Sequence, residues 1–262
     1  GGHIFLFWSA VRFFAVTSPR LKKTLFRAAL FMPLGVMVSA VAVRVLTNAI
    51  TGVVYAIFAL WLGLAINLLM FAALAWFLTP LGRAFLKDSA MRWFYAALFA
   101  TAFFFSVYGV WNAFHPAIKT IEVAMPGLPD KWRTKTIVQI SDVHLGVFYT
   151  PRYFSGIAKE INKLNPDIIF ITGDLFDSIS ADSLSPFIPA LNELAARDGI
   201  FYVNGNHENY IGMDMVLRAL KQTKFKVLHD DVVRIDGVQI IGVDYPEYGA
   251  VRDVKKTIRA RK

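Results

Sequence analysis

The chain has 262 residues, 56% of them hydrophobic, with 23 Phe, no Cys and a net charge of +9. The absence of Cys excludes a disulfide framework and a thiolate metal site. The charge excludes a nucleic-acid surface as its natural reading, because the excess sits in the apolar part. Residues 1–116 hold nine Lys/Arg and one acid, Asp88, whereas residues 117–262 hold nineteen Lys/Arg and eighteen Asp/Glu. Nucleic-acid binders gather their basic residues on a soluble face. Here they lie between hydrophobic stretches, where cytoplasmic membrane loops carry them.

Four apolar stretches are expected as membrane spans, at about residues 4–16, 25–46, 50–78 and 91–114. A spanning helix needs roughly 20 apolar residues, so the last three qualify and the first is marginal. The stretch 50–78 carries no charge, which argues against buried helices of a large soluble core. Pro33 inside the second is tolerable where neighbours re-satisfy the backbone. Trp8, Trp76, Trp93 and Trp111 fall near expected ends, the depth that amphipathic rings prefer. Loop 17–24 holds Arg20, Lys22 and Lys23, and loop 79–90 holds Arg83 and Lys87, so both are expected on the cytoplasmic side. That orientation puts everything after residue 116 outside the cytoplasm, on the far side of a plasma or inner membrane. The lipid bilayer is thus the first expected partner.

Residues 117–135 read as a linker punctuated by Pro116, Pro126, Gly127 and Pro129, with an edge strand at 118–124. From residue 136 the pattern changes to short buried strands at 137–140, 167–172 and 200–203. Helical spacing alternates with them at 153–164, 183–196 and 214–220. Strands at 232–235 and 238–243 face each other across Asp236-Gly237. Alternating strands and helices predict an α/β layered domain over 136–262. Ligands of such sheets sit outside the carboxyl ends of the strands.

The chemistry-bearing residues fall at those ends. The first strand is followed by Asp142-Val143-His144, the second by Gly173-Asp174-Leu175-Phe176-Asp177, and the third by Gly205-Asn206-His207-Glu208. In extended chain, residues two apart point the same way, so Asp142 and His144 are expected to reach one metal ion. Gly173 allows a turn and a close approach at the next strand end. Glu208, Asn209 and Tyr210 either touch substrate or pack their loop. His229 reads as a solvated turn residue, and 244–247 as a turn. The basic residues Lys255, Lys256, Arg259, Arg261 and Lys262 read as a solvated helix face.

Together the three motifs resemble the calcineurin-like metallophosphoesterase signature, over residues 134–262. The helices before them look like its multi-pass bacterial membrane branch. The resemblance implies an αββα sandwich and two divalent ions drawn from Mn, Fe or Zn. It implies that Asp142 and His144 hold the first ion, that Asp174 bridges both, and that Asn206 binds the second. His207 would stand near the leaving group, oriented by Asp177. The implied activity is hydrolysis of a phosphomonoester or phosphodiester, with an envelope-derived substrate, by metal-activated hydroxide. The family also supplies a later His and a Gly-His-x-His element, and neither occurs by Lys262. The chain starts Gly-Gly and stops in a charged run, so truncation of the domain is the expectation, with a poorly active fragment. The competing expectation is a non-enzymatic membrane scaffold that keeps a degraded hydrolase fold.

Overall fold

The computed structural model describes residues 1–46, 48–177 and 184–246. The chain divides into two compact units, Gly1–Ile121 and Glu122–Lys262. The basic run 255–262, Glu247 and the expected helix start at Ser183 lie outside the described residues.

The first unit is four helices: α1 (Gly2–Phe13), α2 (Pro19–Val45), α3 (Ala49–Phe85) and α4 (Asp88–Ala113). The last three are long and apolar enough to cross a membrane. At 1.5 Å per residue the 12 residues of α1 cover about 18 Å, short of a hydrocarbon core of about 30 Å. Residues 19–24, expected as loop, form the first turns of α2. The Ser18 hydroxyl accepts from the Leu21 N–H at 3.4 Å, and Pro19 takes the helix's first position, where its missing N–H is no loss. An Asn48/Thr51 capping box opens α3, which then runs through Pro80 to Phe85. The expected 79–90 loop therefore shrinks to Leu86 and Lys87.

Helices in lipid gain little from apolar contact alone, so close approach and polar ties decide how they pair. Ala65, Ala72 and Ala75 on α3 and Ala102 on α4 are buried at the contacts, where a small side chain lets backbones come together. Side-chain hydrogen bonds cross between helices. Trp61 Nε1 donates to His3 Nε2 at 3.1 Å, and Trp76 Nε1 to Ser9 Oγ at 2.9 Å, joining α3 to α1. Asn67 Nδ2 donates to Ser106 Oγ, and the Thr79 and Tyr95 hydroxyls meet, each at 2.9 Å, joining α3 to α4.

The expected edge strand at 118–124 is absent. Ile118, Ile121 and Val123 are exposed and pair with nothing regular. Four strands form one parallel sheet in chain order: β1 (Ile137–Ile140), β2 (Ile168–Thr172), β3 (Gly199–Val203) and β4 (Lys226–Val227). β5 (Val232–Ile235) and β6 (Val238–Ile241) form a separate antiparallel hairpin. Its turn residues, Asp236 and Gly237, both adopt positive φ, the geometry that matches strand twist.

Alternation along β2 and β3 sorts the core into two layers. Ile169, Ile171, Ile200 and Tyr202 face α5 (Pro151–Lys163), the short α6 (Ile188–Leu191) and α8 (Met213–Leu220). Ile168, Phe170, Phe201 and Val203 face the other way, against Trp132, Leu228 and hairpin residues Val233 and Ile240. β2 and β3 are thus buried on both sides, the condition under which parallel strands read as continuous apolar runs. β1, expected as a buried strand, leaves Ile137 and Gln139 exposed at the sheet edge. The helix expected over 183–196 is broken. Ser185–Phe187 is a 3₁₀ turn and α6 is four residues, consistent with Pro186 and Pro189 interrupting the ladder.

The amino ends of the strands are tied by ions. The Asp167 carboxylate accepts from the Thr136 N–H at 2.8 Å and pairs with Arg197 at 2.7 Å. Lys135 bonds Asp198 and lies 3.5 Å from Asp236, which also meets Lys131 at 3.1 Å. The Lys131 hydrogen bond holds Asp236 below the usual carboxylate range, and the charges of Lys131 and Lys135 add to it. A lowered folded-state pKa stabilises above the unfolded value, about 3.9, and that stability is lost as pH falls through the folded one. Asp236→Asn should therefore flatten the fall of the melting temperature as pH drops below about 4. An unchanged pH slope in the variant would remove Asp236 from the account.

Candidate metal centre

β1 ends at Ile140, and the chain after it runs beside the segment that follows β2. The Asp142 N–H donates to Gly173 O, the His144 N–H to Asp174 O and the Leu145 N–H to Leu175 O, at 3.2, 3.0 and 2.8 Å. Three residues of this crossing adopt positive φ without being glycine: Asp142 at 55°, His144 at 50° and Asp174 at 51°. Such backbone costs about 1–3 kcal/mol per residue and persists only where its surroundings over-determine it. Asp142 and His144 are thus not an extended pair pointing one way. The strand-periodicity argument for their sharing an ion does not describe this backbone.

What the crossing brings together is His144, Asp174 and His207, whose ligand atoms all lie within 4.8 Å of one another. His207 arrives on α7 (Asn206–Ile211), which starts directly after β3. The His144 and His207 rings meet edge to face, 4.3 Å between centroids. Asp142 lies outside that set, exposed, with its carboxylate bonded by the Ser141 hydroxyl. Asn206 is half-buried and immediately precedes His207. Asp177 Oδ1 is 3.5 Å from His207 Nδ1, an ion-pair separation without hydrogen-bond geometry.

Two glycines let the loops converge. Gly173 has φ +88°, and a Cβ on it would stand 2.8 Å from the Cα and N of Gly205. A Cβ on Gly205 would run into the Asp174 carboxylate.

Sequence reasoning left Glu208 between substrate contact and loop packing. It is fully buried, and its carboxylate accepts four backbone N–H groups. Its place three residues after Gly205 is the capping-box spacing, the one signal that could have assigned it. A second network lies behind the third loop. Asp244, buried, accepts from the Asn204 N–H at 3.3 Å and is hydrogen-bonded to Nδ1 of exposed His229. Burial raises the Asp244 pKa, against the pull of the Asn204 N–H and His229. His229 is thus the exposed turn residue expected from the sequence, with its ring hydrogen-bonded to Asp244. The Asn204 side chain accepts from Tyr245 N–H and donates to Asn209, at 3.1 Å each.

The donors suit a divalent ion. Imidazole nitrogens and a carboxylate fit Mn, Fe or Zn. Asp174 Oδ1 accepts from the His207 N–H at 3.0 Å, and its other oxygen is engaged by nothing among the described residues. His207 Nδ1 is buried with no hydrogen-bond partner. Such groups are normally satisfied, and Asp177 Oδ1 faces this one at 3.5 Å.

The calcineurin-like phosphoesterase family profile matches residues 135–254, which span this sheet and all three loops. Residues 135–254 are a calcineurin-like phosphoesterase domain. An uncharacterised metallophosphoesterase of Helicobacter pylori is 29% identical over 161 residues, covering 58% of this chain and 42% of that protein. A bovine transmembrane protein with metallophosphoesterase domain is 36% identical over 132 residues, covering 50% of this chain and 30% of its own. A metallophosphoesterase of Aquifex aeolicus is 34% identical over 109 residues, 41% of each. The chain thus spans less than half the length of these relatives. No solved structure matches it significantly. The phosphoesterase domain follows three helices long and apolar enough to cross a membrane.

Proposed function

We propose that the protein is a multi-pass, membrane-anchored phosphoesterase that uses two divalent ions to hydrolyse a phosphomonoester or phosphodiester of the cell envelope. The observation that carries this reading is the convergence of His144, Asp174 and His207 at the carboxyl ends of one parallel sheet. In this reading Asp142 and His144 serve one ion, Asp174 both, and Asn206 the other. Ions held there supply Lewis acidity toward phosphoryl oxygens and lower the pKa of water to near neutrality.

The chain's own residues do the rest. Strained backbone at Asp142, His144 and Asp174 fixes their side chains before substrate arrives, so little reorganisation is left to the reaction. His207 delivers a proton to the departing oxygen, a role worth about 10²–10⁴ in rate. Asp177, once it closes from 3.5 Å to hydrogen-bond distance, fixes the imidazole tautomer and leaves Nε2 to carry that proton. Tyr202 stays a neutral phenol beneath the site, because burial raises its pKa and the carboxylates of Glu208, Asp244 and Asp174 raise it further.

The domain is assigned to the extracytoplasmic side. Arg20, Lys22 and Lys23 in the first turns of α2, and Arg83 and Lys87 around the α3–α4 junction, mark one cytoplasmic face. A reporter fused after the domain should be active only outside the cytoplasm; activity confined to the cytoplasm reverses the assignment.

The test of function is hydrolysis of p-nitrophenyl phosphate and bis(p-nitrophenyl) phosphate by the full-length protein in detergent. Turnover should require added Mn²⁺, Fe²⁺ or Zn²⁺ and vanish with a chelator. A protein that neither binds nor uses any of them would make the scaffold reading the better one.

A further inference from the structure

We infer that Glu208 is the positioning residue of the metal centre, its carboxylate setting metal affinity without touching metal or substrate. The inference rests on the phosphoesterase reading and adds to it the residue that locks two ligand loops in register.

The geometry is specific. Glu208 Oε1 accepts from the N–H groups of Leu175 and Phe176, at 2.8 and 3.1 Å. Oε2 accepts from Asp174 and Gly205, at 3.0 and 2.8 Å. Three donors belong to the loop after β2 and one to the loop after β3. One oxygen is therefore shared by the backbone of Asp174 and by the turn that presents Asn206 and His207. The tie is closed in the other direction by the Asp174 side chain, which accepts from the His207 N–H at 3.0 Å. Glu208 is 0% exposed and forms no pair with Lys, Arg or His among the described residues. A buried carboxylate without a cation is costly unless hydrogen bonds satisfy it, and here the four N–H groups do so. The strained φ of Asp174 is the backbone these bonds hold in place.

A carboxylate is required because the donors come in two pairs, one on each oxygen. Gln has the same shape but one acceptor. Whichever way its amide faces, two backbone N–H groups meet an NH₂ and are left unpaired. Asp keeps both oxygens but is one C–C bond shorter, about 1.5 Å, so it cannot hold all four contacts at once. Partners that orient ligands typically change metal affinity about 10–100-fold when altered.

The experiment uses the full-length protein in detergent as wild type, Glu208→Gln and Glu208→Asp. Mn²⁺ affinity is read by electron paramagnetic resonance, ligand geometry by the visible spectrum of added Co²⁺, and folding by near-ultraviolet circular dichroism in the cold. The expected result is a folded Gln variant with Mn²⁺ affinity about 10–100-fold lower and a displaced Co²⁺ band, the Asp variant falling between. A merely structural role would lower the melting temperature while leaving the Co²⁺ band of the folded protein where it was. A folded Gln variant that binds Mn²⁺ like the wild type, with the same Co²⁺ spectrum, overturns the proposal. If the Gln variant does not fold, the Asp variant decides: wild-type affinity overturns it, weakened affinity supports it. A wild type that binds no Mn²⁺ overturns the phosphoesterase reading and this proposal together; unchanged affinity in folded variants overturns this proposal alone.

Discussion

Asp174→Asn should give a folded protein that binds divalent metal far more weakly and hydrolyses phosphoesters at background rate. Folding survives for three reasons. Asp174 holds the turn through its backbone N–H to Glu208, which the substitution leaves alone. Its Oδ1 accepts from the His207 N–H, and an Asn carbonyl oxygen can do the same. Its φ of 51° lies in the left-handed region, which Asn enters as readily as Asp. What changes is the oxygen left over for an ion, replaced by an NH₂ that donates where a ligand must accept, with one negative charge removed. Loss of a ligand should exceed the roughly 10–100-fold typical of residues that only orient ligands. Melting temperature without metal, Mn²⁺ affinity and hydrolysis rate together test it. A variant that keeps wild-type turnover would remove Asp174 from the centre and leave the convergence with His144 and His207 without a purpose.

Much of this site was legible before its geometry. Parallel strands buried on both faces read as unbroken apolar runs, so β2 and β3 could be placed and their carboxyl ends searched. β1 stood out by its three β-branched residues, although Gln139 breaks its run. The elements that escaped had no such run. β4 is two residues, one of them Lys226, held by pairing with Phe201 and Tyr202 on β3 rather than by its own pattern. The helix expected over 183–196 obeyed the spacing, yet Pro186 and Pro189 removed the N–H groups that would have carried it on. α2 started early because a Ser-Pro cap outweighs a charged composition, and Lys and Arg are good helix formers once water solvates them. Residues 118–124 look like a strand, but a strand exists only where another pairs with it.

The site itself divides the same way. Residue types at strand ends pointed to metal chemistry, while the path of the backbone between them did not show. Asp142 and His144 were read as an extended pair, yet both are left-handed, because their N–H groups must reach the carbonyls of Gly173 and Asp174. Glu208 carries no periodic signal, since its partners are backbone groups brought in by long-range folding.

The glycines of the two loops show how little room this convergence leaves. Gly205→Ala should lower both stability and metal affinity, whereas Gly156→Ala should leave metal affinity unchanged and raise stability. Gly205 has φ −105°, which any residue adopts, so the cost is collision and not conformational strain. An alanine Cβ would overlap the Asp174 carboxylate and stand 2.6 Å from the Asp174 backbone nitrogen. The carboxylate could swing aside only by giving up the His207 N–H and its place beside His144. The nitrogen could move only by giving up Glu208. Forcing a methyl group into packed structure typically costs about 1–3 kcal/mol, and here displacement falls on a ligand. Gly156 lies exposed within α5 with no atom within 4 Å of an added Cβ. There alanine should gain about 0.5–1 kcal/mol through helix propensity. Thermal unfolding and Mn²⁺ titration of the two variants side by side separate a site effect from a general response to added bulk. Wild-type affinity in Gly205→Ala would mean that the loops can part without loss, and that close approach is not what builds the centre.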